Sequence, residues 1–168
     1  MIQLERVEWL DPRAVALRAD MDAESGALYA RVVARMPKPD RERFAAILTV
    51  DPADVLATVI AVDDEAPIES PPFGHAGLKR LKGDLADALE VKKVFVDPSR
   101  RGQGISRVLM AALEPIGREL GATRLVLQTG DRQTAAIALY EAIGYEPMPP
   151  FGGYEIFPPT LCYAKALD

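Results

Sequence analysis

The residues best suited to chemistry lie in one short stretch, Arg101-Gly102-Gln103-Gly104-Ile105-Ser106, between the β-branched run VKKVFV and a helical pattern. A strand that feeds a glycine turn and opens a helix is an anion site, because unpaired backbone N–H groups and the positive helix end converge there. Gly102 and Gly104 let a ligand approach the backbone without a Cβ in the way. Two common phosphate loops do not fit: the Gly-Lys-Ser/Thr ending of a Walker loop is missing, and Arg107 stands where a dinucleotide fingerprint needs a third glycine. A plain strand-turn-helix connection is the other reading of the same glycines.

Few other side chains offer chemistry by type alone. His75 is the one imidazole, so a Ser-His-Asp triad has a single possible base, and a histidine in a strand is also a common structural residue. Cys162 is the one cysteine; it has no disulfide partner and no cluster of Cys or His around it, and reads as a buried small apolar residue. No metal site is expected. Phe151 and Tyr154, in a proline-flanked segment, could wall a pocket for a substrate. Asp20, Asp22 and Glu24 on the first helix would favour a cationic amine there, or else form an ordinary solvated face.

The elements that must position these residues follow from hydrophobic spacing. Residues 3–9 alternate as a strand, and Asp11 before Pro12 begins a helix whose apolar positions are Val15, Leu17, Met21 and Leu28. The segment MPKPD breaks that pattern, and 41–48 forms a short second helix. Residues 55–62 are a buried strand and 75–81 its partner. Residues 91–96 then form a strand, 108–120 a helix with Leu109, Leu113, Ile116 and Leu120 on one face, 124–128 a strand and 134–143 a helix stopped by Gly144. Pro115 predicts a kink in the helix that holds it. A tail with Pro147, Pro149, Pro150, Pro158 and Pro159 leads to a last strand over 161–166.

Composition bounds the rest. With 168 residues, the chain fits one domain, and 49% hydrophobic residues with 27% charged is globular composition. The net charge of −5 supplies no basic excess for a nucleic-acid backbone. No apolar run approaches the roughly 20 residues of a membrane span, and no export signal is visible, so a cytoplasmic location is expected. Residues 1–70 carry a net negative charge and 71–168 a slight positive one, so an anionic ligand should prefer the second half, where Lys92, Lys93, Arg100, Arg101 and Arg107 gather.

The stretch VFVDPSRRGQGISRVLMAALEPIGRELGATRLVLQTGDRQTAAIALYEAIGY resembles the acetyl-CoA-binding core of the GNAT superfamily of N-acetyltransferases. The family's Q/R-x-x-G-x-G/A motif maps onto Arg101, Gly104 and Ser106, the serine departing from a small apolar residue. ALYEAIGY is similar to its A-x-x-x-Y-E-K-x-G-F/Y signature, with Tyr140 and Gly144 in register; Gln133 stands where many members have Asn. The likeness covers residues 54–166 and is strongest over 91–145.

What the resemblance implies is specific. The fold would be α/β (α+β): one GNAT domain with a mixed, mostly antiparallel sheet, a splayed central strand pair (91–96 and 124–128) and flanking helices. Residues 1–53 would be the variable acceptor side and 54–168 the cofactor core. Acetyl-CoA would lie against Val94, Phe95 and Val96, the loop Arg101, Gly102, Gln103, Gly104, Ile105 and Ser106, and Gln133 and Tyr140, with Lys92, Lys93, Arg100 and Arg107 adding positive field. A backbone N–H near Val96 would polarise the carbonyl. Tyr140, a phenol of pKa about 10, would protonate the leaving thiolate, and Glu90, just before the fourth strand, would act as base, directly or through water. Phe151, Tyr154 and His75 would meet the acceptor. The implied activity is acetyl transfer to a primary amine, of a small molecule or of a peptide; an acyl-CoA-binding sensor without turnover is the competing reading. A homodimer would be in keeping with the family.

Overall fold

The computed structural model describes residues 1–67, 70–157 and 159–168; Pro158 of the tail lies outside them. Its strands are β1 (Ile2–Val7), β2 (Val55–Asp63), β3 (Gly74–Arg80), β4 (Ala88–Val96), β5 (Arg124–Gly130), β6 (Glu146–Met148) and β7 (Thr160–Ala166). Its helices are α1 (Pro12–Arg35), α2 (Lys38–Leu48), α3 (Ile105–Glu119) and α4 (Thr134–Ala142). The strands form one sheet in the order β1-β2-β3-β4-β5-β7-β6. Every neighbouring pair is antiparallel except β4 and β5, which are parallel and joined through α3.

β2 shows why the central strands read as unbroken apolar runs. Val59 and Ala61 pack with Ile105, Leu109 and Leu113 of α3 on one face, while Ile60 packs with Ala14 and Leu17 of α1 on the other. Both faces of the strand are covered, so alternation is lost. Each of these fully buried leucines contributes about 1.5–3 kcal/mol of transfer free energy. Gly74 admits the close approach of α3, since a Cβ there would stand 3.0 Å from Leu109 Cδ1. The Asp11 carboxylate accepts from the Arg13 N–H and caps α1 as expected.

Several boundaries differ from the sequence expectation, α2 for instance starting at Lys38 inside the segment read as a break, and three differences bear on the site. β4 starts at Ala88, so Glu90 lies within the strand and not before it. α3 starts at Ile105, directly after the glycine turn, and runs through Pro115 as one element. β6 was not expected, because a three-residue strand containing Pro147 has too little pattern to read; it pairs with β7 at the sheet edge, where proline is tolerated.

The parallel pairing of β4 with β5 runs only from Ala88↔Arg124 to Val91↔Leu127. Beyond it both strands continue, to Val96 and Gly130, without pairing to each other. β4 also carries an extra residue against β3: His75 faces Phe95 and Gly77 faces Lys92, and Lys93 adopts φ 56° in the bulge. A fork opens in the middle of the sheet.

Candidate active site

Two cavities meet at that fork. The first, about 390 Å³, is lined by Val94, Phe95 and Val96 of β4, by Arg101, Gly102, Gly104, Ile105 and Ser106, and by Gln133, Tyr140 and neighbours on α4. The second, about 840 Å³, lies between β4 and β5 on the sheet side and α1, α2 and Phe157 on the other. Val94, Gln133, Tyr140, Met21 and Ser25 line both.

The first cavity is built to hold an anion. Gly104 is the N-cap of α3 at φ 76° and offers no side-chain cap, so the Ile105 and Ser106 N–H groups are left for a ligand, while that of Arg107 donates to the Gly104 carbonyl. Cβ atoms built at Gly102 and Gly104 would meet nothing within 4 Å, so the loop presents an open cradle that larger residues would obstruct. Arg101 stands at its mouth: Nε donates to the Val96 carbonyl at 3.0 Å, and the guanidinium pairs with Glu24 of α1 at 2.7 Å. Arg100 also lines it, its guanidinium 4.3 Å from the Phe73 ring centre. Gln103 and Arg107 are exposed and do not line either cavity.

Tyr140 sits where the cavities join. It is buried against Tyr145 and Tyr163, and no hydrogen-bond partner of its hydroxyl is found among the described residues. Burial pushes the phenol above its usual range, so the hydroxyl holds its proton at neutral pH.

The remaining expected residues are placed differently. Glu90 is 1% exposed and lines neither cavity. Its carboxylate is shared by Lys92 at 3.3 Å, Lys79 at 3.6 Å and the Tyr154 hydroxyl at 2.5 Å. Lys92 Nζ donates to the Tyr154 oxygen at 2.8 Å, and Lys92 does line the second cavity. Phe151 and Tyr154 are buried together with Cys162 beneath β5 and β7, and Phe157 is the aromatic of that segment which reaches the cavity. His75 is fully buried behind the bulge. Arg18 Nη1 donates to its Nε2 at 3.1 Å, so Nδ1 carries the proton and donates to the Lys93 carbonyl at 2.7 Å. His75 thus braces the bulge in β4 and touches no cavity.

Two of the three acidic residues of α1 are engaged in ion pairs. Asp22 pairs with Lys93 at 2.5 Å, Glu24 with Arg101, and Asp20 is exposed. Asp22 and Glu24 fasten α1 to β4 and the glycine loop, Asp20 stays on the exposed face of the helix, and Asp22 also lines the second cavity. Lys92 and Lys93, expected near phosphates, line the second cavity. Sequence reading missed Arg18, Met21, Ser25 and Tyr29; their helical spacing i, i+3, i+7, i+11 was visible, but not which face of α1 would meet the fork.

The matches to known proteins agree with this geometry. The model of the acetyltransferase (GNAT) family matches residues 16–145. The chain belongs to that family. An IAA acetyltransferase of Azospirillum brasilense is 41% identical over 78 residues, which cover 46% of this chain and 51% of that protein. The uncharacterized N-acetyltransferase YjgM of Escherichia coli K12 is 36% identical over 73 residues, 44% of each chain. The chain therefore spans about half the length of the curated relatives it matches. Among solved structures, a Klebsiella pneumoniae protein named provisionally as an acyl-CoA N-acyltransferase superposes with a TM-score of 0.76 at 26% identity, over 100% of this chain and 99% of the other. A Thermoplasma acidophilum N-acetyltransferase in complex with coenzyme A shares the fold, with a TM-score of 0.64 at 14% identity and 99% of both chains covered. GNAT proteins use acetyl-CoA, and the uncapped α3 terminus with its open glycine cradle fits the diphosphate of that molecule.

His75 sets a measurable pH dependence. Burial lowers its pKa from 6.5 to about 4, so the folded state binds fewer protons than the unfolded state between those values. Its contribution to stability is present above pH 6.5 and is lost as pH falls towards 4. In urea unfolding, the stability advantage of wild type over His75→Gln should shrink by about 2–3 kcal/mol between pH 7 and pH 4.5. An advantage that does not change with pH would show that His75 is not held neutral.

Proposed function

We propose that the protein is an N-acetyltransferase that carries an acetyl group from acetyl-CoA to a primary amine of a small molecule, by direct attack in a ternary complex. The single observation that carries this reading is the junction of the two cavities at Val94 and Tyr140, where β4 and β5 have parted. An anion-binding channel there meets a larger pocket of different lining. Acetyl-CoA supplies an activated acyl thioester and, on transfer, a thiolate leaving group.

The chain's own residues divide the work. The Gly102–Gly104 turn and the α3 N-terminus hold the diphosphate, with Arg101 beside it. The unpaired edge of β4 from Val94 to Val96 offers backbone groups to the acyl carbonyl and the pantetheine arm. Tyr140 Oη holds a proton at the fork for the departing sulfur. Glu90 acts through Lys92 and Tyr154 as a positioning residue, and the amine proton passes to water. α1 and α2 cover the second cavity, which supports a small acceptor over a protein chain.

Ligand-induced stabilisation tests the cofactor half. Coenzyme A at 100 times its dissociation constant should add about 2.7 kcal/mol of stability. Gly104→Glu, which places a side chain and a negative charge in the cradle, should abolish that gain; at φ 76° it should also lower the melting temperature of the free protein, so the gain is read against each protein's own free midpoint. Equal stabilisation of both proteins would remove the diphosphate from this loop.

A further inference from the structure

The second cavity carries more cations than it can neutralise. Arg18, Arg41, Lys92 and Lys93 line it, and Asp22 is its one carboxylate among the described residues. Asp22 is engaged by Lys93 at 2.5 Å. Glu90, behind the wall, is shared between Lys92 and Lys79. Arg41 is exposed and screened by water. That leaves Arg18.

Arg18 is 8% exposed and forms no ion pair among the described residues. The one opposite charge that acts on it, Asp22, is held by Lys93 and makes no contact with it; a buried guanidinium with no carboxylate in contact is costly, and arginine cannot shed its proton to escape that cost. Its two observed donations go to neutral acceptors, the Trp9 carbonyl at 2.6 Å and His75 Nε2 at 3.1 Å, and its plane lies 3.6 Å from the centre of the Trp9 ring. Those contacts hold the guanidinium rigidly in the wall of the cavity and use two of its five N–H donors. Trp9 stacks on it, and farther along α1 Tyr29, Phe44 and Phe157 give the same cavity an aromatic wall.

We infer that Arg18 is the anion-binding residue of the acceptor site, and that the acceptor is an amine carrying a carboxylate on an apolar body. The inference rests on the acyl-transfer reading of the fork and names the substrate class for it. The carboxylate completes the charge of Arg18 and takes its unspent donors; the apolar body fills the aromatic cavity; the amine is thereby directed towards Val94 and Tyr140. Because little of the Arg18 side chain is exposed, an arriving anion meets less competing water and binds more tightly than it would at an exposed arginine.

The test uses the full chain saturated with coenzyme A and matched probes that differ only in charge: phenylacetate against phenylacetamide, and hexanoate against hexanamide, followed by calorimetric titration. Each carboxylate should bind at least about tenfold tighter than its amide. Arg18→Met, which keeps the apolar stem, should erase that ratio while coenzyme A affinity stays at the wild-type value; Arg18→Lys should keep part of it. With acetyl-CoA, kcat/KM for phenylalanine should exceed that for phenethylamine in wild type and not in Arg18→Met. Amides that bind as well as carboxylates, carboxylates that do not saturate, or a preference that survives in Arg18→Met would each overturn the assignment. Brisk turnover of phenethylamine alone would overturn it and leave acyl transfer standing, whereas absence of coenzyme A binding would strike the acyl-transfer reading itself.

Discussion

Tyr140→Phe is expected to lower kcat by about 10²–10⁴-fold, the range for loss of a positioned general acid, and to change little else. The hydroxyl has no hydrogen-bond partner among the described residues, so its removal leaves no buried group unsatisfied. The ring keeps its packing at 5.9 Å from Tyr145 and 6.3 Å from Tyr163. Coenzyme A affinity and the unfolding midpoint should therefore match wild type, with the loss confined to the chemical step. Because burial raises the phenol pKa, the wild-type rate should show no alkaline limb from Tyr140 below about pH 10. Thiol release by the variant at the wild-type rate would end the acid assignment.

Glu90→Ala should instead cost stability, by about 3–5 kcal/mol, the range for removing one partner of a buried ion pair. Lys92, 7% exposed, would keep only the Tyr154 hydroxyl as acceptor. Burial already lowers the Lys92 pKa and Glu90 is what raises it, so the variant should make Lys92 lose its proton more readily. Denaturant unfolding measures the loss directly. Glu90→Gln keeps the shape and a hydrogen bond to Tyr154 and should cost less, which separates packing from charge. A kcat/KM profile of Glu90→Gln that has lost an acidic limb, with unchanged stability, would return Glu90 to the role of base that its position before the β4 core first implied.

The two losses show where sequence was informative. The loop from Arg101 to Ser106 was legible because glycines, a preceding strand and a following helix are local features, and the structure places the turn at the cavity mouth. Tyr140 was legible through a motif at fixed spacing from that loop. The charge network was not. Glu90, Lys92 and Lys79 come together across neighbouring strands, and Tyr154 joins them from 64 residues away in sequence. Nothing local marks Tyr154 as a partner for a buried carboxylate when it also looks like the wall of a pocket. The acidic face of α1 was open for a related reason: a cation-attracting face and a solvated face look alike in sequence, and the partners of Asp22 and Glu24 are basic groups 71 and 77 residues away. His75 drew notice as an imidazole, yet its role depends on a bulge in β4 that no residue pattern announces.

The account stands on acyl transfer at the β4–β5 fork, and steady-state thiol release from acetyl-CoA across a panel of amino acids and simple amines, with mass spectrometry of the acceptor, tests it most directly. The expected result is one acetylated amine for each thiol released, with a rate that saturates in both reactants and collapses in Tyr140→Phe. Tight coenzyme A binding with no amine acetylated above the uncatalysed rate would contradict it and make the fork a binding site alone.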